Sequence, residues 1–301
     1  MNTSERRIQK VFVTPSIDLV CEIVDATGPP KAVVVLGHAM FCNRRTLDRP
    51  RGEGLASTLA ALGLEVWMAD LRGHGDSPPA PTAGSSTSYD DYVFGDIPML
   101  IRTAKAAHPE LPLVLVGHSL TGHAGIAALA VDPELPVDAV VSLAGNVWIR
   151  DLEPSLPRWM LKYLIMNLFS LTAKVTGHYP ARRLGMGTDD EAAPYVQQLA
   201  TFARSNVWGS RCGYQNYLSG MEKIRIPILS VVGQADTWMC QPKWAERWLA
   251  HATNAELHFR VVGELDSDPQ DIDHMKLVTD LRMKPIWTEM GHWILNQLSK
   301  G

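Results

Sequence analysis

The chain has 301 residues, of which 46% are hydrophobic and 20% are charged, and 28 Lys and Arg residues against 32 Asp and Glu residues give a net charge of −4. This composition is typical of a packed globular protein and excludes a disordered chain, which lacks the apolar surface that offsets the entropy of ordering. The small acidic excess argues against nucleic-acid binding driven by positive charge.

Apolar runs alternate with helical patterns over the first half of the chain. The Val-rich runs at 32–36 and 112–116 have no polar alternation, which is typical of strands buried on both faces of a parallel sheet. In chain order, the patterns up to residue 147 predict strands at 10–14, 18–24 and 32–36, a helix at 52–62, a strand at 66–69, a helix at 89–107, a strand at 112–116, a helix at 122–131 and a strand at 139–143.

The alternation stops between Trp148 and Leu218, where no convincing buried strand is found and helical patterns occur at 159–175 and 193–205. It resumes with a strand at 227–232, a helix at 242–250, a strand at 256–262 and a helix at 285–298. Strands alternating with helices imply right-handed crossovers and a mostly parallel sheet. We therefore predict a core formed by residues 1–147 and 219–301, with residues 148–218 as a helical insertion.

The cysteines and the apolar segments predict a cytoplasmic protein. Four widely spaced cysteines form no C-x-x-C motif, and isolated thiols are typical of reduced compartments. No apolar segment follows the charged residues at the start, so we expect no secretory signal peptide. The most apolar long window, residues 156–175, contains three Lys and Arg residues, so we expect no stable membrane insertion.

The sharpest local signal is the segment Gly117–Gly122 (GHSLTG), between the strand at 112–116 and the helix at 122–131. A serine between a strand and a helix has the context of a nucleophile elbow, in which a sharp turn lifts the hydroxyl clear of the sheet and the helix N-terminus supplies N–H groups. Thr121 stands where the usual G-x-S-x-G pattern has glycine, and Gly122 comes one residue later. Ser119 is therefore the candidate nucleophile.

Two further motifs follow predicted strands: Gly37–Met40 (GHAM) and Asp70–Ser77 (DLRGHGDS). Together with the serine motif, and in this order along the chain, these two motifs resemble those of the α/β-hydrolase fold family, in its esterase, lipase and peptidase branch. The resemblance covers nearly the whole chain. The resemblance implies an α/β fold with an eight-stranded, mostly parallel sheet and helices on both faces. It also implies that the insertion at 148–218 is a helical cap or lid.

The resemblance implies a catalytic triad in the chain order serine, acid, histidine. Asp236 follows the strand at 227–232 and is the candidate acid, although an aspartate is also common in a turn at a strand end. His274 lies in the loop after the strand at 256–262 and is the candidate base. His292 is its rival, but it falls within the predicted terminal helix.

An oxyanion formed during acyl transfer needs two preorganised donors. The N–H of Leu120, directly after the serine, is one candidate. By alignment with the family motif the other is the N–H of Met40, with Ala39 as the alternative. Ala39 and His118 flank the predicted site and are the candidate substrate-binding residues.

The proposed reaction is hydrolysis of a carboxylic ester through an acyl-enzyme intermediate. Bulky apolar residues in 148–218 favour a small, uncharged ester with an apolar acyl or alkyl group as substrate. A peptidase, a thioesterase, a lipase, an acyltransferase and a non-catalytic binding module stay open, because the motifs do not separate them. The oligomeric state is also open.

We predict neither a cofactor nor a metal ion. The chain has no H-E-x-x-H motif, no Cys/His cluster, no P-loop and no G-x-G-x-x-G motif. The run of aspartates at 266–273 lacks the spacing and the glycine of an EF-hand, so we interpret it as a solvated acidic loop.

Overall fold

The computed structural model describes residues 5–300. Eight of its strands form one sheet: β1 (Arg6–Thr14), β2 (Ile17–Val24), β3 (Ala32–Gly37), β4 (Leu64–Ala69), β5 (Leu113–His118), β6 (Ala139–Leu143), β9 (Ile228–Gly233) and β10 (Leu257–Val262). Two short strands, β7 (His178–Tyr179) and β8 (Glu191–Ala192), pair with each other.

The strand order in the large sheet is β1-β2-β4-β3-β5-β6-β9-β10. β2 pairs antiparallel with β1 and with β4, and the pairs from β4 to β10 are all parallel. The predicted eight-stranded, mostly parallel α/β sheet is therefore confirmed. In a parallel sheet the carboxyl ends of the strands meet at one edge, which brings distant loops together.

The helices are α1 (Leu55–Ala61), α2 (Tyr89–Asp91), α3 (Ile97–Ala107), α4 (Leu120–Val131), α5 (Leu156–Thr176), α6 (Ala193–Ser205), α7 (Tyr217–Gly220), α8 (Pro242–Leu249), α9 (Lys276–Thr279) and α10 (Lys284–Leu298). A π-helical turn at Tyr92–Asp96 joins α2 to α3, so the helix predicted at 89–107 is continuous but irregular. The irregularity lies just before Pro98, which has no N–H to donate to the preceding turn.

The Val-rich strands are buried because each faces two cores. Along β3, Val33 and Val35 belong to the core that also contains residues of α3 and α4, whereas Val34 and Leu36 belong to the core beneath α1 and α10. Successive side chains of a strand point to opposite faces, so a strand covered by helices on both sides needs apolar residues at every position.

The segment between β6 and β9 contains α5, α6, α7 and the short strands β7 and β8. The helices predicted at 159–175 and 193–205 are present, and α5 begins three residues earlier than predicted. The expectation that 148–218 contains no buried strand was wrong in one detail, because both residues of β8 are buried. A two-residue strand is too short to show a period of two.

None of the helices within residues 5–300 combines the length and the hydropathy needed to cross a bilayer. All four cysteines are free thiols; three are buried, and Cys212 is exposed.

A buried ion pair joins β8 to the loop after β4. Nε2 of His74 donates to the carboxylate of Glu191 at 3.1 Å, and both side chains are almost completely buried. Burial lowers the pKa of His74, but the charge and the hydrogen bond of Glu191, with a smaller effect of Asp189, raise it overall to about 9. The imidazole is therefore protonated at neutral pH, and the pair ties the inserted segment to the sheet.

This ion pair predicts a loss of stability in alkali. The folded-state pKa of His74 lies above the unfolded value of about 6.5, so its stabilising contribution is complete below pH 6.5 and disappears as the pH rises through about 9. A shift of this size corresponds to a contribution of about 3 kcal/mol. We expect the free energy of unfolding, measured with urea, to fall between pH 6.5 and pH 9.5 in the wild type. This fall should be larger by about 3 kcal/mol than the fall in His74→Phe. His251→Phe, at an exposed histidine, is the control, and equal pH dependence in the wild type and His74→Phe would contradict the assignment.

Candidate active site

Ser119 occupies a sharp turn between β5 and α4. Its backbone has φ 48° and ψ −102°, a region that residues other than glycine adopt only when the surrounding structure enforces it. The constraint is visible here, because Ser119 N–H donates to the carbonyl of Leu143 on β6 at 2.8 Å and the Ser119 carbonyl accepts from His123 N–H at 3.0 Å. The turn thus holds the serine at the carboxyl edge of the sheet.

In the serine motif, glycine stands at position 122 rather than at position 121, and the packing of the turn explains this shift. A Cβ at Gly117 would lie 2.4 Å from the nitrogen of Gly122, so these two backbones need glycine. Thr121 packs instead against β3, where a Cβ at Gly37 would lie 2.2 Å from its methyl group. Its hydroxyl donates to the carbonyl of His38 at 2.8 Å. A threonine therefore fits at position 121 because β3 ends in glycine at this point.

The candidate acid and base are in direct contact. His274 Nδ1 donates to Asp236 Oδ2 at 2.7 Å, and Met239 N–H donates to Asp236 Oδ1 at 2.8 Å. Burial raises the pKa of Asp236, but the hydrogen bond and charge of His274 and the backbone N–H groups outweigh this effect and hold it below its usual value. The ionised carboxylate keeps the proton of a neutral imidazole on Nδ1, which leaves Nε2 as an acceptor.

Ser119 and His274 line the same cavity. Within residues 5–300 no direct hydrogen bond joins Ser119 Oγ to His274 Nε2. In unliganded active sites this contact is often long and shortens when substrate binds. The structure thus brings the three candidate residues to one place, whereas the rival His292 is exposed on α10 and lies outside the cavity wall.

The two candidate oxyanion donors are free. The N–H groups of Met40 and Leu120 donate to no other residue that the structure describes. Leu120 opens α4, where the first N–H groups lack partners within the helix. Phe41, next to Met40, is held with φ 64°, and its N–H donates to Glu191 Oε1 at 2.7 Å. The loop that presents Met40 is thereby anchored to the inserted segment.

The predicted contact of Ala39 and His118 with substrate receives no support. Neither residue belongs to the cavity wall, and both are buried. Burial is the main reason that the pKa of His118 falls to about 3, so its ring is neutral and its Nε2–H donates to the carbonyl of His274 at 2.9 Å. His118 therefore positions the backbone of the candidate base.

The cavity has a volume of about 480 Å³, within the range of small-molecule sites. None of the described residues in its wall is an Asp, Glu, Lys or Arg. The segment 148–218 supplies nearly half of the wall: Trp148, Ile165, Met166, Phe169, Met186, Tyr195, Leu199, Phe202 and Trp208. Several bulky residues of this segment thus face Ser119, as the sequence led us to expect.

Two residues at the site were not anticipated from the sequence. The sequence motifs did not single out His123, yet it lines the cavity one helical turn after Ser119. Its spacing of four residues from the serine was the available signal, because residues i and i+4 share one helix face. No local sequence pattern pointed to Glu191, because it contacts the loop of Met40 through Phe41, 150 positions away in the sequence.

The acidic loop shows no arrangement suited to a metal ion. Within residues 5–300 no group of three or more His, Cys, Asp and Glu side chains could hold one. Asp268 instead pairs with Arg260 at 2.5 Å, and Asp271 pairs with Lys276 and Arg282 at 2.6 and 2.9 Å.

Comparison with solved structures agrees with this fold. A soluble variant of monoglyceride lipase from Saccharomyces cerevisiae, in complex with a substrate analog, superposes with a TM-score of 0.68, covering 99% of this chain and 96% of that one at 16% identity. An esterase from Pyrococcus furiosus gives a TM-score of 0.62 over 99% and 91% of the two chains at 15% identity. At these identities the likeness concerns the fold.

Sequence comparison gives a family. A stretch of 119 residues is 31% identical to monoglyceride lipase of Rattus norvegicus, covering 38% of this chain and 35% of the relative. The chain spans about a third of the length of the curated relatives it matches. The model of the family described as serine aminopeptidase, S33, matches residues 28–265. Since this match covers most of the chain, the protein belongs to the serine aminopeptidase S33 family of α/β-hydrolases.

Proposed function

We propose that this protein is a serine hydrolase that cleaves small, uncharged carboxylic esters through an acyl-enzyme intermediate. One observation carries the proposal: Ser119 and His274, the latter hydrogen-bonded to Asp236, line one apolar cavity. The free N–H group of Leu120 lies at the start of α4, directly after the serine, and that of Met40 lies in the loop after β3.

In the proposed mechanism, Ser119 Oγ attacks the ester carbonyl carbon while its proton moves to His274 Nε2. The carbonyl oxygen takes the negative charge and accepts hydrogen bonds from the N–H groups of Met40 and Leu120. The imidazolium, stabilised by Asp236, then protonates the departing alcohol, and the acyl group stays on Oγ. Water, deprotonated by His274, attacks the acyl-enzyme and releases the acid and the free serine.

The charge of the cavity favours an ester over a peptide with a free amino terminus. An aminopeptidase must hold the ammonium group of its substrate, and a desolvated ammonium needs a carboxylate or several acceptors. No Asp or Glu is among the described residues that line the cavity. The similar proteins described above, monoglyceride lipases and an esterase, agree with an ester substrate.

The proposal extends to the organisation of the chain. Residues 148–218 act as a cap that closes the cavity over the core formed by 1–147 and 219–301, because they supply the apolar side chains opposite Ser119. We also propose a cytoplasmic location, since the exposed free thiol of Cys212 suits a reducing compartment.

Activity-based labelling tests the proposed function. A fluorophosphonate probe, with its adduct mapped by mass spectrometry, should modify Ser119, and p-nitrophenyl butanoate and p-nitrophenyl heptanoate should be hydrolysed. Leucine p-nitroanilide, which carries an ammonium group, should be a far poorer substrate. Absence of labelling at Ser119, or preference for the charged anilide, would overturn the proposal.

A further inference from the structure

Among the polar side chains of the cavity wall, His123 has no role in the proposed mechanism. His123 lies on α4, four residues after Ser119, and its ring forms part of the cavity wall. Its Nδ1 lies 2.8 Å from the hydroxyl of Tyr89, and the two rings stack with centroids 5.4 Å apart. The opposite nitrogen, Nε2, makes no hydrogen bond within residues 5–300, and it is not one of the fully buried polar atoms that lack a partner.

The neighbours of Tyr89 decide which nitrogen of His123 carries the proton. Trp208 Nε1–H, which can only donate, lies 3.2 Å from the Tyr89 hydroxyl. The hydroxyl therefore accepts from Trp208 and has its own proton left to donate, and because Tyr89 is fully buried this proton needs an acceptor. His123 Nδ1 is that acceptor, so a neutral His123 carries its proton on Nε2.

The imidazole of His123 stays neutral at working pH. Burial is the largest effect on its pKa, followed by the charge of His274, and together they lower it to about 3. His123 thus presents an uncharged N–H donor to the cavity. Binding an entirely apolar substrate against this donor would strip it of water without replacement, which costs about 1–3 kcal/mol.

We propose that His123 is a specificity-determining residue, whose Nε2–H binds a neutral acceptor oxygen of the substrate. The inference rests on the proposed ester hydrolysis at Ser119 and adds the substrate class. From Ser119, which caps α4, to His123 the helix axis advances on the order of 6 Å, and we take this advance as the spacing between the scissile carbon and the acceptor oxygen. At roughly 1.2 Å of extended chain per bond, the preferred ester carries an ether, keto or hydroxyl oxygen about five bonds from its scissile carbonyl carbon.

This oxygen could belong to the acyl group or to the alcohol, and two matched pairs of esters separate the two cases. The acyl pair is p-nitrophenyl 5-methoxypentanoate and p-nitrophenyl heptanoate. The alcohol pair is 3-methoxypropyl butanoate and pentyl butanoate. In each pair one CH2 replaces one oxygen at the same chain length. The measured quantity is the ratio of kcat/KM for the ether ester to that for its hydrocarbon partner.

His123→Phe should lower this ratio about fivefold in one of the two pairs, as expected for the loss of one neutral hydrogen bond. His123→Gln keeps an N–H donor at similar reach and should retain most of the ratio. Tyr89→Phe frees the imidazole to change its tautomer and should lower the ratio about twofold. The control is His292→Phe, at an exposed histidine outside the cavity, which should leave it unchanged.

This inference alone would be overturned if both pairs of esters gave the same ratio in the wild type and in His123→Phe while fluorophosphonate still labelled Ser119. Loss of labelling and of heptanoate hydrolysis in the wild type would overturn the proposed function and this inference together. A drop confined to the alcohol pair or to the acyl pair supports the inference and assigns the oxygen to that part of the ester.

Discussion

Replacing Ser119 with Ala is expected to lower kcat/KM for p-nitrophenyl butanoate by about 10⁵-fold, because the variant has no nucleophile and retains only substrate binding and the free N–H groups of Met40 and Leu120. Alanine is close in size to serine, and the hydrogen bonds that hold the turn come from the backbone at position 119, so the fold should be unchanged. Hydrolysis is followed by release of p-nitrophenol, with active-site titration to exclude traces of wild-type enzyme.

Ser219→Ala is a suitable control, since this serine is exposed on α7, outside the cavity wall. It should hydrolyse the ester at the wild-type rate. A Ser119→Ala variant that keeps more than about one part in a hundred of the activity would show that another group attacks the ester, and it would remove the basis of the proposed mechanism.

Replacing Asp236 with Asn is expected to lower kcat by about 10⁴-fold with little change in KM. In the wild type, the Asp236 carboxylate accepts a hydrogen bond from His274 Nδ1 at 2.7 Å, and the lowered pKa of Asp236 keeps it ionised at neutral pH. An asparagine can turn its NH2 group toward Nδ1, which moves the imidazole proton to Nε2, and His274 could then no longer accept the proton of Ser119. Steady-state kinetics at pH 7 measures the effect.

Asp266→Asn removes a carboxylate from the exposed part of the acidic loop and is the matched control. It should leave kcat within twofold of the wild type, because exposed charges have little influence at a distance. If both variants lost activity equally, the removal of a negative charge in general, and not the contact of Asp236 with His274, would be responsible.

Local patterns in the sequence determined most of the fold. The continuous apolar run of β3 predicted a strand covered on both faces, since Val33 and Val34 must each find an apolar core. The strand–serine–helix segment predicted the turn at Ser119 for a similar reason, because its small residues and its position between two regular elements are local properties. Chain order was enough to choose Asp236 and His274 as candidates, although the sequence does not show how close their side chains lie in space.

The features that only the tertiary structure decided depend on residues that are far apart in the chain. Thr121 fits in the turn because Gly37 on another strand leaves room for its methyl group. The proton position on His123 follows from Trp208 acting through Tyr89, and no local pattern encodes such a relay. Packing and hydrogen bonding between distant segments have no period along the sequence, so the cavity wall and the N–H donor of His123 could be identified only once the elements were assembled.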